Sequence, residues 1–243
     1  MPNTEPRYAG FTCWRAVNDN IHLNLTETSE TWGTAGRLGI VPLADHKMYW
    51  FACINAPQND TEMKQYKVAD LQNHFKDFHE LIPIILRQSK DENLIWNNII
   101  DLKPIGRYAF GNIVFIGDAA HAMTPNLGQC ACQAIEDAII LADEFKNNAD
   151  AKIAFMQFEQ RRIKRTHYIV NMSWIVGKVA QVENGTGASF RNFVFRRLPT
   201  SLNERLLKKL YEVDFQRHDR EIQLSATATE GAGQFVIQAL YIL

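Results

Sequence analysis

The chain has 243 residues, of which 46% are hydrophobic, 11% aromatic and 22% charged. That is an ordinary globular composition with room for a sizeable core, and it excludes disorder, collagen-like repeats and coiled coil. Lys plus Arg number 26 and Asp plus Glu 27, a net charge of −1, so neither nucleic acid nor an anionic membrane is an expected partner. Met1 to Gly10 is polar and lacks the apolar region of a secretory signal. No run reaches the ~18 apolar residues of a membrane span. The cysteines (Cys13, Cys53, Cys130, Cys132) are too few and too irregularly spaced for a disulfide framework, which points to a reducing cytoplasm. Cys130-x-Cys132 has no second cluster to make a zinc site and reads as two small buried side chains on a helix.

In chain order, Tyr8–Val17 reads as a strand, with Ile21–Thr26 as its hairpin partner across Asn18-Asp19-Asn20. Arg37–Pro42 and Lys47–Asn55 are two further strands separated by Ala44-Asp45-His46. Short strands joined by short turns imply an antiparallel sheet. Val68, Leu71, Phe75, Phe78 and Ile82 then recur at helical spacing, and Pro83 ends that helix or starts another. Leu94–Ile100 is a strand leading into Asp101-Leu102-Lys103-Pro104. Ile113–Ile116, between Gly111 and Gly117, reads as a fully buried strand. A helix follows over roughly Gly128–Phe145, then a long one over about Ala151–Gln181. Arg161, Arg162, Lys164 and Arg165 on it read as a solvated basic face. Gly185-x-Gly187 reads as a C-cap or loop, and the capping box Ser201-x-x-Glu204 predicts a helix from near Leu202. The tail 225–243 yields no assignment.

Gly111 to Asp137 carries the chemistry. A strand ends at Gly117, the carboxylate Asp118 follows, then Ala119, Ala120 and His121, a Pro125-Asn126-Leu127-Gly128 turn, and a helix. Ligands of open α/β sheets collect at the carboxyl ends of strands, and a helix N-terminus offers unpaired N–H groups to an electron-rich group. Asp118 suits a sugar or polyol hydroxyl, and Gly128 permits close approach to the backbone. The residues alone support two readings: a cofactor site, or a tight strand–helix connection with a capping Asp.

Gly117-Asp118-Ala119-Ala120-His121, Pro125, Gly128-Gln129 and Ala134-Ile135-Glu136-Asp137-Ala138 closely resemble the second flavin motif of the FAD-dependent aromatic hydroxylase-like monooxygenases. Tyr8–Arg15, Trp32-Gly33, Gly39–Leu43, Tyr49–Ala52 and Asp101–Pro104 resemble that family too, and the likeness runs to about Tyr211. The resemblance implies an α+β (mixed α/β) fold. It comprises an antiparallel substrate-side sheet with one or two helices (1–103), an incomplete FAD-binding α/β domain with following helices (104–215), and a tail (216–243).

The resemblance also implies roles. Gly117 and Asp118 belong to the cofactor site, with Asp118 on a ribityl hydroxyl of FAD. Pro125 lies by the isoalloxazine ring, and Leu127, Gly128 and Gln129 face its pyrimidine end. Arg15 reaches flavin or substrate, or is a plain surface or salt-bridged residue. His121 packs near the cofactor or is a structural, hydrogen-bonded histidine, and is not assigned as a base. Trp14, Trp50 and Phe51 line an aromatic pocket or form core. Cys130 stands where the family has Gly, which implies crowding of the flavin or a thiol of lowered pKa at a helix N-terminus.

The family's G-x-G-x-x-G and its Asp-Gly motif are absent from this sequence. The expectation is therefore the C-terminal portion of a larger enzyme that binds FAD poorly alone. The apolar edge of Ile113–Ile116 would be exposed, and the complement would be an N-terminal chain carrying G-x-G-x-x-G. The implied activity is NAD(P)H- and O2-dependent hydroxylation or epoxidation of a small organic substrate. The alternatives are a non-catalytic remnant or interaction protein, or one half of a split monooxygenase. No nucleophile motif supports a hydrolase.

Overall fold

The computed structural model describes residues 4–213 and residue 215. The tail 225–243, with Gly231-x-Gly233, lies outside them. The core is a five-stranded antiparallel sheet in the order β2-β3-β4-β1-β5. Its strands are β1 (Pro6–Asp19), β2 (Ser29–Gly33), β3 (Gly36–Leu43), β4 (Lys47–Asn55) and β5 (Ile95–Leu102). Between β4 and β5 run α1 (Val68–His74) and α2 (Leu81–Gln88). Pro83 lies in the first turn of α2, where its missing N–H costs nothing, so it starts the second helix.

The pleat gives the sheet two chemically distinct faces. One carries Trp14, Ala16, Leu38, Ile40, Met48, Trp50 and Ala52, packed with Leu71, Phe75, Ile82 and Ile85 of the two helices. Trp14 and Trp50 are therefore core, with no exposed surface. The other face carries Phe11, Cys13, Phe51 and Cys53 and packs on Trp174. Gly39 has no side chain because the Phe51 ring occupies the space where its Cβ would stand.

One expectation fails in this sheet. Ile21–Thr26 is a loop, because Asn20 folds it onto itself: its Nδ2 donates to the Leu25 carbonyl (2.8 Å) and its Oδ1 accepts from the Leu25 N–H (2.9 Å). The partners of β1 are instead β4 and β5, while β2 pairs with β3.

After β5 comes the hairpin of β6 (Ala109–Phe110) and β7 (Ile113–Val114), closed through Gly111 at φ +64°. Ile113–Ile116 is thus not a fully buried strand. Two residues pair, and Ile113 and Ile116 are 46% and 40% exposed. Glu159 anchors the hairpin, its carboxylate accepting the N–H groups of Tyr108 (2.5 Å) and Ala109 (2.8 Å).

The remaining helices are α3 (Asp118–His121), α4 (Cys130–Asn147), α5 (Ala151–Ala180), α6 (Gly185–Arg197) and α7 (Thr200–Tyr211). Asn184 caps α6, its Oδ1 accepting from the N–H groups of Thr186 (3.0 Å) and Gly187 (3.1 Å). Gly185 and Gly187 therefore open a helix and do not close one. The capping box at Ser201 does not set the start of α7, which begins at Thr200 after Pro199. Among the described residues no helix is long and apolar enough to cross a membrane.

The basic run on α5 is not a solvated face. Arg162 is fully buried. Its Nη1 meets Glu136 Oε2 and its Nε meets Asp137 Oδ1, both at 2.6 Å, and its Nη2 meets Gln133 Oε1 at 2.7 Å. Arg165 clasps Glu136 with both arms (2.8 and 2.9 Å). Arg161 meets Asp143 (2.6 Å) and Glu144 (2.8 Å). Only Lys164 of the four is exposed. Residues three and four apart on α4 present one acidic face to a basic face of α5.

Candidate functional site

The site is built where β5, the β6–β7 hairpin and the start of α4 converge on α5. Gly117 takes φ +55°, ψ −138°, a conformation closed to residues with a side chain. Its N–H donates to Asp137 Oδ2 (2.7 Å), and the same oxygen bonds His121 Nε2 (2.7 Å). The α4–α5 charge cluster thus reaches the Gly117-Asp118 turn and fixes it. His121 is buried and bound to Asp137, so of its two readings the structural one fits. Burial pushes the Asp137 carboxyl up, but the His121 and Gly117 hydrogen bonds and the Arg162 charge outweigh it, leaving it below the usual range. Glu136 is lowered likewise, burial being overcome by Arg165 and Arg162. The Leu102 N–H donates to the Ala122 carbonyl (3.0 Å), docking the turn onto the end of β5.

Asp118 and Ala119 are exposed. The charge of Asp118 is felt at Cys130, where burial first and then this carboxylate push the thiol up. A Cβ on Gly117 would stand 3.4 Å from that of Ala134, so the Gly117-Asp118 turn packs on α4 near its start. The thiol of lowered pKa expected at Cys130 is corrected: it is raised. Cys130 Sγ is turned toward the Met123 carbonyl (3.6 Å) and packs with Met123, Leu127, Ile169 and Val170. Nor are both cysteines buried, since Cys130 is half-buried and Cys132 exposed. Among the described residues no metal-ligating cluster occurs.

Pro125 opens a single 3-10 turn, Pro125–Leu127, and Gly128 leaves it at φ +64° with open space where a Cβ would stand. Gln129 is the N-cap of α4. Its side chain makes no cap hydrogen bond, and the first turn holds no acidic residue. The N-terminal N–H groups of an 18-residue helix thus face the space beside Gly128 without a side-chain partner.

Asn126 pins this turn. Its Nδ2 donates to Thr124 Oγ1 (2.9 Å) and to the Ser173 carbonyl (2.8 Å), and its Oδ1 accepts from Arg37 Nη2. Gly177 of α5 allows it, because a Cβ there would collide with the Asn126 amide. Arg37, on β3, is 2% exposed and also meets Glu30 Oε1 (2.9 Å), while its Nε finds no oxygen or nitrogen acceptor. It is the link between sheet and flavin-motif turn that the sequence reading missed. The available signal was a single charge inside the apolar strand RLGIVPL.

Arg15 is exposed and its Nη2 donates to Asn97 Oδ1 (2.5 Å) on β5. It lies on the same sheet face as Cys13, opposite Phe51 of β4. Phe51, half-buried on that face, is the one of the three aromatics that borders Arg37, at 5.9 Å from ring centroid to guanidinium carbon.

These residues fit a flavin at its isoalloxazine and ribityl end. A carboxylate without a protein partner is available for a hydroxyl, and a side-chain-free cradle at Gly128 admits a flat ring. Unpartnered helix N–H groups suit the oxygen- and nitrogen-rich pyrimidine edge. The sequence supplies no G-x-G-x-x-G for a pyrophosphate.

Comparison with known proteins agrees. Residues 6–153 match the FAD binding domain family. The chain is 34% identical over 199 residues to the aurachin C monooxygenase/isomerase of Stigmatella aurantiaca, covering 82% of this chain and 52% of that protein. It is 32% identical over 212 residues to the 2-heptyl-3-hydroxy-4(1H)-quinolone synthase of Pseudomonas aeruginosa, covering 86% and 55%. Its fold matches the Klebsiella pneumoniae HpxO structure complexed with FAD and uric acid at a TM-score of 0.78 and 20% identity, over 86% of this chain and 54% of that one. The chain spans about half the length of the curated relatives it matches. Matched over most of its length in sequence and in fold, and with the flavin motif held as described, the chain belongs to the FAD-dependent aromatic hydroxylase-like monooxygenase family.

Proposed function

We propose that this chain supplies the substrate-side sheet (1–103) and the isoalloxazine-facing part of the flavin domain (104–215) of an FAD-dependent monooxygenase that inserts one oxygen into a nitrogen heteroaromatic. The carrying observation is the exposed Asp118 on a turn whose Gly117 packs against α4 near that helix's uncapped start. The substrate class draws on relatives named for a quinolone and for urate. Bound FAD supplies the oxygen chemistry, with NAD(P)H as reductant and O2 as oxidant.

The chain's own residues bind and orient. Asp118 accepts a ribityl hydroxyl. Gly117 sets the turn that presents Asp118. The ring rests along Pro125, Leu127 and Gly128, and the N–H groups following Gln129 offer partial positive charge to electron density on the pyrimidine end. Arg37 and Asn126 hold the turn at a fixed distance from the sheet. Phe11, Phe51 and the rest of that sheet face keep water from the substrate. Arg15, at the open end of the face, is the candidate for meeting a polar substrate group.

We further propose that the pyrophosphate and adenosine of FAD are held by residues outside this sequence. Support comes from the absent G-x-G-x-x-G and from the exposed Ile113 and Ile116, which fit beside further strands. The test is the visible spectrum of the purified chain with and without FAD. We expect a colourless protein that takes up FAD weakly, and stoichiometric yellow protein once a domain bearing G-x-G-x-x-G is supplied. A chain that is yellow as purified, with one flavin per protein, contradicts the division of the site. A chain that never takes up flavin, even with that domain, contradicts the function.

A further inference from the structure

Cys13 of β1 and Cys53 of β4 are direct Cα partners across the two strands. The Ala56 N–H donates to the Gly10 carbonyl (3.3 Å), so hydrogen-bonded pairs fall on the even-numbered residues of β1. Cys13 and Cys53 are therefore a non-hydrogen-bonded pair, in which opposed Cα atoms approach to about 4.5 Å and the side chains share one face. That separation lies within the roughly 4.4–6.8 Å that a disulfide spans. Both are free thiols, 6% and 1% exposed, and the Cys13 thiol donates to the Trp14 carbonyl (3.4 Å).

Their surroundings make them unequal. The facing Cys13 thiol, and after it the Arg37 charge, overcome burial and bring the Cys53 thiol below its ordinary range. The facing Cys53 and burial push the Cys13 thiol well up. Arg37 is the Cα partner of Cys53 on its other side, in β3. The register places Arg37 on one side of Cys53 and Cys13 on the other, so Cys53 is the sulfur with a cation beside it and Cys13 the one placed to resolve it. Cys130 and Cys132 provide an internal contrast: two residues apart on α4, they do not face each other and have no such partner.

We propose that Cys13 and Cys53 are a redox-active pair that closes to a disulfide with hydrogen peroxide and reopens with a thiol reductant. The Cys53 thiolate attacks a peroxide oxygen. The O–O bond breaks, hydroxide leaves and takes up a proton, and Cys53 becomes a sulfenic acid. The Cys13 sulfur then displaces the hydroxyl, which leaves as water with the Cys13 proton. Two thiols are oxidised by two electrons, and one peroxide is reduced to two waters. The bridge forms across the sheet face that borders the Pro125 turn. It ties up the Cys53 sulfur beside Arg37, the residue whose Nη2 donates to Asn126. This inference does not depend on flavin binding.

The test uses the full chain. It is treated with a modest excess of hydrogen peroxide, quenched with catalase, alkylated in denaturant, digested and weighed by mass spectrometry. We expect a peptide pair joining Cys13 to Cys53, lighter than the separate peptides by two hydrogens, that disappears on treatment with dithiothreitol. Cys130 and Cys132 should remain unjoined to each other. Recovery of Cys13 and Cys53 as alkylated free thiols while Cys132 oxidises overturns the proposal, as does Cys53 recovered as sulfinic acid with Cys13 free. Arg37→Met should slow the cross-link about tenfold, through loss of thiolate, and Arg37→Lys should restore most of the rate. An unchanged rate in Arg37→Met removes Arg37 from the account.

Discussion

Asp118 and Gly177 are the two residues whose replacement separates binding from folding. Asp118 is exposed, and among the described residues only its backbone carbonyl is hydrogen-bonded, to the Ala122 N–H, so Asp118→Ala leaves the fold intact. It removes a charged acceptor worth about 1.5–3 kcal/mol to a hydroxyl. The flavin dissociation constant should rise at least tenfold, with the thermal midpoint unchanged, as read by flavin titration and by circular dichroism. Gly177→Ala works from the other side. Alanine favours a helix interior by about 0.8–1 kcal/mol over glycine, yet its Cβ displaces the Asn126 amide. We expect α5 to stay helical while flavin affinity falls about tenfold. Unchanged affinity in that variant would show that Asn126 does not position the turn.

At this scale much of the site was legible. Gly117-Asp118 and Pro125–Gly128 are read locally, because a left-handed glycine and a helix start leave a mark on neighbouring residues. Arg37, Asn126 and Gly177 were not legible as a group. They meet across 89 and 51 positions of chain, and nothing local to Arg37 says that its partner is Asn126.

Between elements, the α4–α5 seam is the structural support of the site. Gln133, Glu136 and Asp137 receive Arg162 and Arg165, and Asp137 passes the restraint to Gly117 and His121. Arg162→Met leaves Asp137 and Glu136 buried with one cation fewer and should cost about 3–5 kcal/mol in urea unfolding. The seam also sets an acid limit. Both carboxyls are held below their ordinary values in the folded chain. The stability they contribute is therefore present above their unfolded values of about 4 and is lost as pH falls through the lower folded values. Urea midpoints measured against pH should drop steeply below about pH 4, and Glu136→Gln should flatten that drop. A midpoint indifferent to acid would contradict the seam.

The spacing of Arg161, Arg162, Lys164 and Arg165 reads as a solvated face because a charge run carries no record of what packs on it. The acidic partners on α4 were visible only as part of a flavin motif. Helix α6 escaped for a related reason: Gly185 and Gly187 read as breakers, while the cap that starts the helix, Asn184, is a single residue. The strands β1, β3, β4 and β5, by contrast, were legible from their apolar content and the short turns around them.

For the whole molecule, the account makes this chain the flavin-ring half of a site and the pyrophosphate half something this sequence does not contain. The most direct measurement is amide NMR of the labelled chain titrated separately with FMN and with ADP. The account predicts that FMN shifts the amides of residues 117–133, most strongly at Gly128, Gln129 and Cys130, and that ADP leaves them in place. Shifts from ADP at those amides, or FMN shifts that spare residues 117–133, would contradict it.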